Sequence, residues 1–445
     1  MRDSDATIFN KRPKASALSV NWGLDPSVVF LNHGSFGATP LAVLAHQATF
    51  RELMESEPVA FWVCKAEPLL DAARAEMAAF VGCGADDFAF VTNATTGVNT
   101  VLRSLVWQSG DEVVTSAHEY NACNNVLRYL EERCGIKPVL AEVPFPVEAG
   151  GGAGLGAGVG AREGEEAVVA AIVGKMTART RLVMVSHVTS PSGMIMPVKR
   201  IAAECAKRGV DLLVDGAHAP GFVDLDVESI GCAYYTGNFH KWVCAPKGSG
   251  FLYVRKDRQA LIEPLVISHG RNVARTDRSR FRLQFDYTGT QDISAYMATP
   301  HALRLVPTLA GCGGGDVRAN WAAVRARNHG LAMAARAVLC ERLGVSGPVP
   351  ESMLGSLVAI ALPLQSEARE AELAARPAVY GDALQDVLAE KWGIQVPCWR
   401  PLSMLSAGRP ARILRIACQL YNTIEQYHYL ADALVTELEA ERRAR

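Results

Sequence analysis

Tyr234-Tyr-Thr-Gly-Asn-Phe-His-Lys-Trp242 reads as the end of an apolar strand running straight into a lysine between aromatic rings. Upstream, Val214-Asp-Gly-Ala-His218 closes a second apolar run on an aspartate. Outward from this pair the chain is a succession of short β-rich runs, at 88–92, 112–116, 138–143, 181–186, 210–215, 233–236 and 250–254. Sequence of helical character separates most of them, at 95–105, 119–133, 167–176 and 198–208. Strands that are apolar on both faces and alternate with helices form a mostly parallel sheet covered on both sides. The pattern therefore predicts an α/β protein. In such sheets functional groups gather at the carboxyl ends of the strands, which is where Asp215 and Lys241 stand.

Helical sequence also fills 39–80, with Leu41, Leu44, Ala45 and Ala48 at helical spacing and a second stretch from Pro68 to Phe80. Residues 150–164 are almost all glycine and alanine. No lysine with a following Ser or Thr stands there at P-loop spacing, so a flexible surface insertion is a better reading than a phosphate cradle. Gly311 to Gly315 is a second breaker. Beyond it come a helix (316–343), a strand (356–362), a helix (380–392), a strand (412–418) and a terminal helix (423–441), the pattern of a small α+β domain. The expected organisation is an N-terminal arm (1–30) packing on the small domain, a large domain (31–300) and a small C-terminal domain (301–445).

The 445 residues carry a formal net charge of −1, with 49% apolar and 20% charged residues. That composition suits a soluble globular protein of two or three domains and gives no reason to expect nucleic acid as a partner. No uninterrupted apolar run of about 18 residues occurs, so no membrane partner is expected. The eleven cysteines form no CxxC pair. They read as buried free thiols in a reducing, cytoplasmic setting.

Several motifs could carry chemistry, and each has a plain structural alternative. Asn93-Ala-Thr-Thr-Gly-Val-Asn99 follows a strand and opens a helix, where N–H groups and hydroxyls make an anion site; ordinary capping by Thr95 or Thr96 explains it equally. Asp215 could cap a helix, ligate a metal or anchor a cofactor. No metal is expected, because no second histidine or carboxylate cluster has ligand spacing nearby. His218 alone reads as a satisfied structural histidine. His118-Glu-Tyr-Asn-Ala122 places Tyr120 either against a planar ligand or in the core. Lys241, bracketed by Phe239 and Trp242, is hard to explain as a solvated residue, and desolvation would make its amine nucleophilic. Its rival, Lys247 in Pro-Lys-Gly, reads as an exposed turn. A nucleophilic lysine paired with a strand-end aspartate can hold pyridoxal 5′-phosphate, the lysine as a Schiff base and the aspartate on the pyridine nitrogen. Arg415, on a strand of the small domain, is by itself a surface arginine.

Taken together and in order, these motifs resemble the class V aminotransferase-like branch of fold type I pyridoxal phosphate enzymes, and most of all the isopenicillin N epimerase-like group. That group includes hercynylcysteine sulfoxide lyases and plant-type cysteine desulfhydrases. The resemblance runs from Leu31-Asn-His-Gly-Ser-Phe-Gly37 through His187-Val-Thr-Ser-Pro-Ser-Gly193 to Tyr421-Asn-Thr423. It implies fold type I, with a mostly parallel seven-stranded sheet covered by helices and a smaller α+β C-terminal domain. It implies Lys241 as the Schiff-base lysine and Cα base, Asp215 on the pyridine nitrogen and His218 near the phenolic oxygen. It also implies Thr95, Thr96 and His240 on the phosphate, and Tyr120 flanking the ring. Arg415 would hold the substrate α-carboxylate, with Asn32 and His33 at the substrate mouth. Gly289-Thr290 resembles the segment that reaches the neighbouring subunit's phosphate, which implies a homodimer.

The same resemblance leaves the reaction open among epimerisation, C–S β-elimination and transamination of an amino-acid substrate. A cysteine desulfurase would need a mobile cysteine. Cys398 is the candidate, but its surroundings lack the expected histidine-rich, small-residue loop, and it reads as incidental. The non-enzymatic alternative is a catalytically silent regulator with the same fold. The expectation is an epimerase or C–S lyase in which Tyr120 is the second proton-transfer group.

Overall fold

The computed structural model describes residues 12–147, 161–401, 405–406 and 409–443. Seven strands build the central sheet: β1 (Phe88–Val91), β2 (Glu112–Ser116), β3 (Lys137–Ala141), β4 (Thr180–Ser186), β5 (Asp211–Gly216), β6 (Tyr234–Asn238) and β7 (Gly250–Val254). Their spatial order is β1-β7-β6-β5-β4-β2-β3. Pairing is parallel from β6 through β5, β4 and β2 to β3, while β7 runs antiparallel to both its neighbours, β1 and β6. All seven apolar runs of the sequence are therefore strands of one mostly parallel sheet, as expected.

The period of two in these strands divides the core between the two faces of the sheet. Val114, Val183, Val185, Leu212, Val214, Tyr235 and Phe251 join one apolar cluster, whereas Val113, Leu182, Met184, Leu213, Tyr234 and Leu252 join the other. Helices α2 (Ala94–Ser104) and α3 (Asn121–Cys134) cover the second face through Val98, Val101, Cys123, Leu127 and Leu130. Helix α1 (Ala66–Val81) and helix α4 (Val198–Lys207) cover the first through Met77, Val81, Ile201 and Cys205.

The C-terminal region has its own three-stranded antiparallel sheet: β8 (Leu357–Ala361), β9 (Cys398–Trp399) and β10 (Ile413–Ala417), in the order β9-β10-β8. Helices α5 (Val317–Leu343) and α6 (Ile424–Arg443) pack together beside it. Backbone hydrogen bonds join this region to the N-terminal segment and to the loop after β4. Ala417 N–H donates to Leu31 O at 2.9 Å, and Ile195 N–H donates to Met353 O at 2.8 Å. From residue 12 the arm runs along the C-terminal region. Ser16 donates to Tyr421 O and Leu420 O, and Val29–Phe30 pair in parallel with Ile394–Gln395.

Some helix ends differ from the sequence pattern. The helix expected from 380 begins at Ala383, because the Asp382 carboxylate caps it by accepting from Leu384 N–H at 3.0 Å. The helix expected over 119–133 begins at Asn121, and Glu119 lies before it with its side chain bonded to the strand ends at Ser116 and Ser186. The helix expected from 167 already runs from Ala161. The rest of the glycine-rich run, up to residue 160, lies outside the described residues.

Candidate active site

Five strand ends converge on one cavity of about 240 Å³. Its lining includes Asn93, Ala94 and Thr95 after β1, Tyr120 after β2 and Ser186 and Ser190 at and after β4. Asp215 comes from β5, Asn238, His240 and Lys241 from β6 and the loop after it, and Ser35 and Phe36 from the N-terminal segment.

Lys241 is placed by packing on each side of it. Phe239 stacks on Phe251, with ring centroids 5.2 Å apart, which anchors the chain as it leaves β6. Cys244 N–H returns to Lys241 O at 3.0 Å, closing a tight turn. That turn holds Cys244 at φ 59, the one non-glycine residue at positive φ among those described. Such a conformation costs of order 1 kcal/mol, and it is held here by a fully buried surround. Gly37 presses against the same turn, and a Cβ there would lie 2.0 Å from His240 O. Only glycine lets the two backbones come this close.

The protonation of Lys241 follows from its neighbour. Trp242 Nε1–H donates to His218 Nδ1 at 3.2 Å, which makes Nδ1 the acceptor of that ring. Burial above all holds His218 well below its ordinary value, so the ring is neutral and its proton is on Nε2. His218 Nε2 is 3.1 Å from Lys241 Nζ. In this tautomer Nε2–H donates to a lone pair on Nζ, an arrangement that favours the uncharged amine. Electrostatics acts in the same direction. Burial, and next the Arg415 charge, push the amine down to about 7.

Asp215 is buried, and burial pushes its carboxyl up. Its oxygens receive Ala217 N–H at 2.9 Å and the weak Cys123 thiol donor at 3.3 Å. Among the described residues it makes no ion pair, so one buried acid retains acceptor capacity towards the cavity. At the other end stands the N-terminus of α2, where Asn93 accepts from Thr96 N–H and Asn238 accepts from Ala94 N–H. His240 is beside it, its Nδ1 2.9 Å from Ser249 O, and burial pushes it down to about 4. Nε2 is left for a ligand, and a nearby anion would raise its proton affinity.

The remaining expected residues divide. Tyr120 is exposed at the cavity mouth. Thr96 turns its hydroxyl to Thr92 and Asn93 and lines a neighbouring cavity. Arg415 is buried directly behind the lining, its guanidinium donating to Ser190 O, to Ser190 Oγ at 3.1 Å and to Ser35 Oγ at 2.9 Å. Its cationic carbon is 5.2 Å from the Trp399 ring centroid, its Nε has no partner, and burial pushes it down to about 10. Asn32 is part-buried and accepts from Ser35 Oγ. His33 is not at the mouth. Its ring is buried between Tyr421 OH at 2.7 Å and Lys241 O at 3.0 Å, so it braces the lysine backbone from behind. Thr290 is exposed, paired with Tyr287 OH, and lines no part of this cavity. Lys247 is anchored rather than free, its Nζ donating to Gly37 O at 3.0 Å.

Sequence reasoning missed Asn238, Ser186, Ser190 and Ser35. Asn238 was legible in principle, as the last strand residue before Phe-His-Lys. Ser35 and Ser190 stand inside the motifs 31–37 and 187–193 without being singled out, and Ser186 merely ends a strand. Among the described residues no cluster of histidine, cysteine or carboxylate is arranged to hold a metal ion.

The donor set fits an aldehyde cofactor with a basic ring nitrogen and a phosphate. A neutral lysine amine would take the aldehyde, an under-used buried carboxylate would take the ring N–H, and a helix N-terminus with Thr95 and His240 would take the phosphate.

The family profile described as "Aminotransferase class-V" matches residues 54–145 and 159–332. The chain is 32% identical to isopenicillin N epimerase of Streptomyces clavuligerus over 426 residues, covering 92% of this chain and 95% of the relative. It is 28% identical to a probable chloroplastic L-cysteine desulfhydrase of Arabidopsis thaliana, over 97% of this chain and 89% of that one. Among solved structures, a C-DES mutant with glycine covalently linked to its pyridoxal phosphate cofactor superposes with a TM-score of 0.70. The match has 20% identity and covers 92% of this chain and 96% of the other. The apo cysteine desulfurase of Thermococcus onnurineus superposes at 0.69, with 17% identity and coverage of 95% and 98%. The fold is thus that of pyridoxal phosphate enzymes of fold type I. With the profile spanning more than half its length, the chain belongs to the class-V aminotransferase family, and its cofactor is pyridoxal 5′-phosphate.

Proposed function

We propose that this enzyme removes the Cα proton of a small amino-acid substrate and then expels a sulfur substituent from Cβ. The observation that carries the reading is the Lys241 amine, held towards its uncharged form by the Trp242–His218 pair, in the same site as an arginine that has no carboxylate partner. When bound, pyridoxal phosphate supplies the electron-withdrawing ring that acidifies Cα–H. Lys241 Nζ, its proton affinity brought down to about 7 by burial and the Arg415 charge, is the base that accepts this proton. Asp215 accepts the hydrogen bond from the ring nitrogen and holds its proton there. Arg415 takes the substrate α-carboxylate in exchange for its contacts with Ser35 and Ser190, through two parallel hydrogen bonds. The Tyr120 hydroxyl, at the mouth, hands a proton to the departing sulfur.

The cysteine desulfurase alternative lacks its nucleophile. Cys398 lies buried in β9, with its N–H bonded to Gln385, and burial pushes its thiol up. It does not line the cavity. Epimerisation is the second reading. It is favoured by the 32% identity with an isopenicillin N epimerase, and it needs the same Lys241 and Tyr120 on opposite faces of Cα.

Product analysis after incubation with cysteine, a cysteine S-conjugate sulfoxide and a chiral α-amino acid tests the proposal. Pyruvate together with released sulfur supports β-elimination. Inverted substrate with no pyruvate would replace it with epimerisation. A 2-oxo acid formed without sulfur release would replace it with transamination.

We also propose a homodimer in which Thr290 completes the partner's phosphate site. The exposure of Thr290 away from its own cavity supports this, as does the exposure of Phe36, Val63, Val266 and Ile267. Sedimentation should show a dimer, and Thr290→Ala should weaken cofactor retention. A monomer that retains the cofactor fully would exclude it.

A further inference from the structure

Glu119 is a buried acid for which the chemistry above has no use. Its carboxyl is enclosed between the ends of β2 and β4. Oε1 accepts from Ser186 N–H at 2.7 Å and from the Ser116 hydroxyl at 3.0 Å, and Oε2 is 2.6 Å from Ser186 Oγ. Among the described residues it makes no ion pair, and Ser116, Ser186 and Asp215 are the groups that shape its environment. Ser186 is the register neighbour of Asp215 across β4 and β5. Two carboxyls therefore stand together behind the ring-nitrogen end of the cavity. Cys123, from α3, donates its thiol to Asp215 Oδ2. The other titratable neighbours are turned elsewhere. His118 meets Ser192 and Val143 O, and His187 meets Tyr235 OH. The Lys241 charge acts on Asp215.

Two acids this close, in a water-free interior, do not both ionise readily. Asp215 must be the ionised one to hold a proton on the ring nitrogen. The three donors around Glu119 oppose its neutralisation, but burial and the neighbouring Asp215 carboxylate outweigh them. Once protonated, Oε2–H has the Ser186 hydroxyl oxygen within reach as an acceptor. We propose that Glu119 is a positioning residue for the cofactor's ring proton: kept neutral, it leaves Asp215 as the single anion, and its ionisation shifts that proton from the ring nitrogen onto Asp215. The sign follows from Coulomb's law. A negative charge at Glu119 penalises the state with Asp215 negative and favours the state with Asp215 neutral. Burial, and then the Asp215 charge, push Glu119 up to about 7, so the transition falls near neutral pH. The inference rests on the cofactor, and not on which substrate bond is broken.

The test is the ring-nitrogen resonance of holoenzyme loaded with pyridoxal phosphate labelled with ¹⁵N in the ring, followed from about pH 6 to about pH 9. In the wild type it should move towards the unprotonated value as pH rises. Glu119→Gln should hold the protonated value throughout. Cys123→Ala removes a donor from Asp215 and makes it more basic, so its midpoint should move to lower pH. Loosened packing would not move these two variants in opposite directions. A wild-type resonance that does not titrate, or a Glu119→Gln resonance that titrates at the wild-type midpoint, would overturn the proposal. If Glu119→Gln fails to fold or retain cofactor, Ser116→Ala serves in its place. It removes a donor to Oε1 and should raise the midpoint, and an unchanged or lowered midpoint would equally overturn the proposal.

Discussion

Two groups of buried charge in this molecule are built on opposite rules. In the C-terminal region, Arg412 is 2% exposed and makes four hydrogen bonds to carboxylates. Asp382 receives its Nε at 3.0 Å, and Glu441 receives its Nη1 at 2.6 Å and Nη2 at 2.9 Å. Arg400 joins the same network through Glu370 and Asp382. In the cavity, Lys241, Arg415, Asp215 and Glu119 are also removed from water, yet among the described residues none of them makes an ion pair with an opposite charge. A buried charge without a partner costs several kcal/mol unless it neutralises or awaits a ligand. The first group closes on itself and holds a fold together. The second is completed from outside, and its proton affinities are displaced accordingly.

The largest expected effect comes from removing the one amine this arrangement keeps neutral. Lys241→Ala should abolish the visible absorption band of the covalently held cofactor and lower turnover by at least about a thousandfold, within the range of a lost general base. Its folded stability should be unchanged or higher, since no ion pair is broken. A retained band, read by absorbance of the purified protein, would mean that Lys241 does not hold the cofactor.

The mirror experiment is Arg412→Ala. It strands Glu441 and leaves Asp382 with Arg400 alone, and breaking such a buried pair costs about 3–5 kcal/mol. Urea unfolding should show this loss, while KM per folded molecule stays at the wild-type value. A stability loss below about 1 kcal/mol would place this group with ordinary surface pairs and remove the contrast.

Arg415→Ala lies between the two. Losing a charged hydrogen-bond pair to the substrate carboxylate should raise KM about 10- to 100-fold. The cofactor band should be retained and stability little changed. A bleached cofactor in this variant would move Arg415 to the structural side of the comparison.

What was legible in the sequence follows the same division. The strands declare themselves because apolar residues on both faces leave a continuous local pattern, and Asp215 and Lys241 are conspicuous as polar residues ending such runs. Arg412, just before β10, and Arg415, three residues further on within it, look alike locally. Only the chain segments around them, Asp382 and Glu441 for one and Ser35 and Ser190 for the other, make them opposites. Glu119 reads as a helix-start carboxylate. Its role depends on Ser186, which local pattern does not bring near. His33 reads as a mouth residue for the same reason, because both its ring partners, Tyr421 and Lys241, arrive from distant segments.

The smallest expected effect tests why the lysine is neutral. Below its midpoint, each pH unit changes the fraction of free amine about tenfold. The rate at which apoenzyme captures pyridoxal phosphate should therefore rise with pH through about pH 7 and level off above it, as the last of the amine loses its proton. Trp242→Phe sharpens the point. Without the indole N–H, His218 Nδ1 loses the donor that makes it an acceptor, and the ring can place its proton there instead. Nε2 then accepts from a protonated Lys241, which stabilises the ammonium, and the midpoint of capture should move to higher pH. Burial of the amine acts equally in both proteins, so a shift would isolate the tautomer's share. An unshifted midpoint would assign the neutral amine to desolvation and to the Arg415 charge, the other cause of the lowered value. The lysine would then differ from the paired charges of the C-terminal region only in what surrounds it, and not in which proton its neighbour holds.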